Sequence, residues 1–167
     1  TLYLVKMFRR SFSKIISFAV CFLSLALSSS VLAQPFAYVT HEKSNDVWVI
    51  DTKTDEVVAK VEVGQRPRGV VISPDNKLVY IANGNSNDVS VINAATNKVV
   101  DRLAVGIDPE GLDLSPDGKL LYVVNENAGE TRVFEISSKT LFAIVTAGIE
   151  PETVVLSPDG RLAIIPN

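Results

Sequence analysis

A strict period of forty-two residues constrains this chain more than any other feature. Ser73-Pro74-Asp75, Ser115-Pro116-Asp117 and Ser157-Pro158-Asp159 recur at that step, as do Gly64, Gly106 and Gly148 and Pro67, Pro109 and Pro151. Tyr38, Tyr80, Tyr122 and Ile164 keep the same interval, and no insertion breaks it. A period of 20–50 residues marks an array of supersecondary units, each burying its apolar face only against the next.

Each unit reads as four short strands. RGVVIS, EGLDLS and ETVVLS form the first, and the turns SPDN or SPDG follow, with Pro pre-setting φ and Asn76, Gly118 or Gly160 able to take φ > 0. LVYIAN and LLYVVN are the second strand; DVSVIN and TRVFEI are the third, after a polar loop. VVAKVEV and VVDRLAV are the fourth and run into the glycine linker. Frequent β-branched residues, turn signals every 8–12 residues and the lack of a 3.6-residue apolar period disfavour helix. Four strands in about forty-two residues make the blade of a β-propeller. The expected fold is therefore all-β. The units fall at 36–63, 68–105, 110–147 and 152–167, the first without its innermost strand and the last with two strands. These three to three and a half blades should form an open arc of a seven-bladed ring. A parallel β-helix would have shorter coils and would not need three reversals per unit.

Residues 1–33 stand apart. Arg9, Arg10 and Lys14 precede the apolar run Ile15–Leu27, and small residues follow, ending Val31-Leu32-Ala33. Such a positive segment, short apolar run and small-x-small end make a secretory signal peptide, predicted to be cut between Ala33 and Gln34. The run is too short for a spanning helix of roughly 20 residues. Met7 reads as the natural start, with Thr1–Lys6 as upstream translation. The expected location is periplasmic or secreted, with no membrane attachment after cleavage. Cys21, the only cysteine, lies in the leader, so the body has no disulfide and no thiolate metal site. Four of the sixteen basic residues also lie there, leaving twelve against nineteen acids. A body that acidic repels phosphate backbones, so nucleic acid is not an expected partner.

The stretch Tyr38-Val39-Thr40-His41, with its strand pattern, GxxP linkers and SPDG turns, resembles the YVTN-type β-propeller repeat over residues 36–167; His41 stands where that repeat has Asn. GQRPRG, NGNSND and GIEPE together resemble the exported seven-bladed propellers associated with pyrroloquinoline-quinone (PQQ)-dependent alcohol catabolism. The resemblance implies an exported, non-catalytic binding or scaffold module accessory to a periplasmic quinoprotein oxidation system. The alternatives are a lactonase-like or haem-binding reductase-like propeller enzyme with its site in further blades, and a cell-surface structural repeat protein. No cofactor is expected within this segment; haem or PQQ association is left to the full protein or its partners.

In propellers the fourth-to-first linkers and second-to-third loops gather at one mouth of the channel. Gly and Pro stay constant in the linkers, while the residues flanking Pro change from Arg66 and Arg68 to Asp108 and Glu110, then Glu150 and Glu152. A fold is indifferent to that choice, so these six are the candidate binding residues for a protein partner or small molecule. The arginines suit an anion or carboxylate; the acids form a cation-attracting rim. No catalytic residue and no metal ligand is assigned. His41, alone, is expected to bond loop backbone as Asn83 and Asn125 do. The loop Asn83–Asp88 has oxygen ligands but not the spacing of a calcium loop. Asp113 stands where Val71 and Val155 stand and is expected to have a satisfied structural role, and Trp48 reads as surface packing.

Overall fold

The computed structural model describes residues 36–167, and these contain strands and turns without helix. The leader, its cleavage point and Cys21 lie outside the described residues. Strands β1 (Phe36–His41), β2 (Asp46–Asp51) and β3 (Glu56–Glu62) form one sheet. β4 (Pro67–Ile72), β5 (Leu78–Asn83), β6 (Asp88–Asn93) and β7 (Lys98–Ala104) form the second. β8 (Pro109–Leu114), β9 (Leu120–Asn125), β10 (Glu130–Glu135) and β11 (Thr140–Thr146) form the third, and β12 (Val155–Leu156) pairs with β13 (Ala163–Ile164). Every sheet is an antiparallel meander of sequential neighbours, the plan of a propeller blade.

The repeated serine explains the hairpin between first and second strands. Ser73 Oγ accepts from the N–H groups of Lys77 (3.2 Å) and Leu78 (2.9 Å) and donates to Asp75 (2.7 Å). That hydroxyl bond, followed by the Lys77 N–H, holds the Asp75 carboxyl down to about 2. Ser115 and Ser157 repeat the pattern, and Asp117 and Asp159 are lowered for the same reasons.

Two apolar layers join the blades. Val47, Val49 and Val61 of the first sheet meet Val79, Ile81 and Ile92 of the second. The opposite face of the second sheet, Tyr80, Ala82, Val89 and Val91, meets Leu112, Leu121, Val123 and Phe134 of the third. Adjacent residues of one strand thus serve opposite layers, as the period-two geometry of a strand dictates. The innermost strands differ in burial. Leu112 and Leu114 are buried, whereas Val70 and Ile72 are exposed, contrary to the full burial that the run Val70-Val71-Ile72 suggests. β8 has β4 beside it; β4 faces a sheet with no such inner strand among the described residues.

Asp113 carries out the structural role expected of it. Its Oδ2 accepts the N–H of Leu156 in the next unit at 2.8 Å, while Oδ1 accepts that of Leu114. Asn83 also bonds across units, its Oδ1 accepting the Gly64 N–H (3.2 Å) and its Nδ2 donating to Asp88 (2.7 Å) and Ser90 (2.9 Å). Asn125 Nδ2 donates to the Ile107 carbonyl at 2.9 Å. His41 departs from the expectation: its Nδ1 has no hydrogen-bond partner, and its ring packs on Trp48 with centroids 4.2 Å apart. The difference lies two residues along the paired strand. Where Asn83 meets a serine hydroxyl at Ser90, His41 meets the Trp48 indole at a tilt of 42°, with Asp46 3.6 Å from its Nδ1; Lys60 lies on Trp48 as well, 4.2 Å from the ring.

Candidate functional site

The linkers and second-to-third loops meet at one end of the sheets because they hydrogen-bond each other. Gly84 N–H donates to Arg66 O (2.9 Å), Asn85 N–H to Gln65 O (3.2 Å) and Glu126 N–H to Asp108 O (3.1 Å). The linker residue before each proline is left-handed: φ is 56° at Arg66, 52° at Asp108 and 53° at Glu150. A non-glycine residue held there costs of order 1–2 kcal/mol, so surrounding structure must fix it. The fixing group is the loop asparagine of the preceding unit. Asn45 Oδ1 accepts the Arg66 N–H at 2.9 Å, and Asn87 Oδ1 accepts the Asp108 N–H at 3.0 Å.

The residues after Pro67 and Pro109 are aimed by a bulge. Pro67 pairs with Asn83 and Val70 with Ile81, so Arg68 and Gly69 together oppose Ala82 alone. Glu110 and Gly111 form the same bulge against Val124. Such bulges redirect a side chain out of the ladder. Glycine is required beside each, because a Cβ on Gly69 would stand 2.5 Å from the Glu110 carbonyl oxygen and one on Gly111 2.5 Å from Thr153 Cα.

These placements join the two arginines to the acids one unit on. Arg66 forms a hydrogen-bonded ion pair with Asp108, and its Nη2 lies 2.6 Å from Glu110 Oε1 and 3.9 Å from Glu126. The approach to Oε1 is ionic without hydrogen-bond alignment, which leaves that buried oxygen without a hydrogen-bond donor. Arg68 Nε contacts Glu110 Oε2 at 2.7 Å, and its Nη1 reaches Glu42 at 3.1 Å. Asn127 Nδ2 donates to the second Asp108 oxygen. Carboxylate oxygens of Asp108, Glu110 and Glu126 lie within 4.8 Å of one another, a spacing suited to a cation, and the Arg66 guanidinium lies among them.

Glu110 is the centre of the cluster, its side chain 2% exposed. Burial pushes its carboxyl up to about 7; Arg68 and Arg66 pull it down, and the neighbouring Glu126 adds to the rise. A carboxyl poised near neutrality beside open space can bind ligand in either protonation state and can exchange a proton. The open space is a cleft of about 400 Å³ lined by Thr40, Glu42, Arg68, Glu110, Glu152 and Thr153 with the backbone of Gly69 and Gly111. Glu152 is exposed on its wall. Glu150 is also exposed and lines two further hollows, one shared with Glu126 and Gly148 and one with Glu152 and Asn167. The structure thus brings Arg66, Arg68, Asp108 and Glu110 together, sets Glu152 beside them and leaves Glu150 outside their cleft, in hollows shared with Glu126 and Glu152. Glu42 and Glu126 were not singled out from sequence; their signal is position, in the loops that the linkers bond.

The sequence model of a family described as lactonase, seven-bladed β-propeller, matches residues 28–143. Among solved structures the chain is similar to Kuenenia stuttgartiensis hydrazine synthase, with TM-score 0.73 and 26% identity over 78% of this chain and 38% of that one. It is also similar to dihydro-heme d1 dehydrogenase NirN in complex with DHE, with TM-score 0.65 and 21% identity over 80% of this chain and 30% of that one. The chain therefore spans less than two fifths of either structure. No curated protein matches it. The all-β blades and the match over most of the chain agree: it belongs to the lactonase family of seven-bladed β-propellers.

Proposed function

We propose that the protein is an exported, non-catalytic propeller that binds a small molecule or protein partner at the linker mouth, and that the ligand presents cationic or hydrogen-bond-donating groups. The observation that carries this is the ion-pair cluster: both arginines are taken up by carboxylates of the neighbouring unit. Buried Asp108 and Glu110 offset the two arginines, which leaves Glu42, Glu126, Glu150 and Glu152 against the outlying Lys43 where the mouth meets solvent. A mouth with an excess of one sign of charge raises the local concentration of the opposite sign. Periplasmic location and service beside a quinoprotein oxidation system are supported by the leader at residues 9–33 and by the YVTN-type and PQQ-associated motifs. Calorimetric titration of the mature protein with small amines and, separately, small carboxylates tests the binding reading. Amines should bind, more weakly at high salt; carboxylate binding without amine binding would reverse it.

A second reading rests on Glu110 within a lactonase-family fold. With its carboxyl near 7, ionised Glu110 would take a proton from water as the water oxygen adds to a lactone carbonyl, and would return it to the ring oxygen as the ring C–O bond breaks, giving a hydroxy acid. Ring opening of simple lactones by the mature protein, absent in Glu110→Gln, would favour that reading over binding alone.

A further inference from the structure

The outermost strands β3, β7 and β11 each leave one edge of their sheet unpaired. An open edge invites another strand, and charged side chains are the usual deterrent. β3, EVVAKVE, carries Glu56, Lys60 and Glu62; β7, KVVDRLA, carries Lys98, Asp101 and Arg102. β11, TLFAIVT, has no charge in seven residues, and all but Ala143 are exposed. Its Phe142 is 69% exposed and its Ile144 52%. Ile144 pairs with Arg132 and Leu141 with Phe134, so both lie on the face towards the second blade, which leaves them open although that blade is present. Each outer strand has a bulge at the same position, Val58, Val100 and Phe142, so the bulge does not distinguish β11 from the other two edges.

We propose that the edge of β11 is the docking site for a second copy of this chain, strand against antiparallel strand about a twofold axis at Ala143. The sequence is nearly palindromic about that residue. Pairing sets Thr140 opposite Thr146, Leu141 opposite Val145 and Phe142 opposite Ile144 of the other copy, and these threonine, aliphatic and aromatic–β-branched pairs are favourable across strands. Twofold contacts need such self-complementarity, and strand addition supplies the main-chain hydrogen bonds. The other edges refuse the same arrangement. In β3 it opposes Glu56 to Glu62 at both ends, and in β7 it stacks Asp101 on its own copy.

The test is sedimentation of the whole mature protein over a concentration series. Wild type should show a reversible monomer–dimer equilibrium. T140E/T146E installs the charge pattern that β3 carries and should weaken the dimer at least about tenfold, because like charges then oppose at both ends. T140K/T146E, with the residues of Lys98 and Glu62 at these positions, opposes unlike charges and should dimerise as tightly as wild type or more so. Ile144→Lys, matching Lys60, should weaken the dimer while leaving the melting temperature unchanged at concentrations where both proteins are monomeric. A wild type monomeric at every concentration, or a dimer indifferent to T140E/T146E and Ile144→Lys, overturns the proposal.

Discussion

Replacing Glu110 by Gln keeps the shape of the side chain and removes its titration. The carboxyl is raised from its ordinary 4.5 to about 7 in the folded state, chiefly by burial. A carboxyl raised on folding contributes stability that is fully present below its unfolded value and is lost as pH rises through its folded value. The interval from 4.5 to about 7, at about 1.4 kcal/mol for each pH unit, amounts to about 3 kcal/mol. Wild type should thus weaken relative to Glu110→Gln between pH 4.5 and 7 by an amount of that order. Denaturant unfolding of both proteins at pH 5 and pH 8 measures this as a difference of differences, in which the other titrating groups cancel. Asp75, Asp101, Asp117 and Asp159 do not interfere, since their lowered values place their transitions at more acid pH. An ionisable group that weakens the fold at neutral pH is expected where function retains it. If Glu110→Gln is equally destabilising at both pH values, or wild type gains on the variant as pH rises, Arg66 and Arg68 outweigh burial and the argument fails.

Arg66→Ala leaves the Asp108, Glu110 and Glu126 carboxylates without their cation and should cost about 3 kcal/mol or more by denaturant unfolding, with partial recovery on adding a divalent cation. Asn83→Ala strands the buried Gly64 N–H and should cost about 1–3 kcal/mol, whereas the same change at exposed Asn85 should cost far less. Gly111→Ala drives a methyl into Thr153 Cα and should destabilise by about 1–3 kcal/mol, read from the unfolding midpoint. N-terminal sequencing of protein collected from outside the cytoplasm should begin at Gln34; an intact leader would contradict export with cleavage.

What the sequence revealed and what it hid follow from the range of the interactions. The strands and hairpins were legible because Ser-Pro-Asp turns and alternating apolar residues act within a few positions. The linkers were legible as variable loops because Gly and Pro stay fixed while their neighbours change. The union of Arg66 with Asp108 and Glu110 was not read, although its signal was present. Residues at one linker position forty-two apart lie on neighbouring blades, so arginines in one unit and acids in the next are partners and not alternative sites. The bulges at Arg68-Gly69 and Glu110-Gly111 depend on strand register, which no local pattern encodes. His41 was misjudged by analogy with Asn83, because the diagonal neighbour on the paired strand, Trp48 in one case and Ser90 in the other, decides the contact.

The claim on which the functional account turns is that ligand binds at the linker mouth through its carboxylates. A crystal structure of the mature protein with its tightest-binding amine examines this directly. The account predicts the amine within hydrogen-bonding distance of Glu110 or Glu152, beside Arg68, in the cleft floored by Gly69 and Gly111. An amine seated at the opposite end of the sheets, near the Ser-Pro-Asp turns, would contradict it.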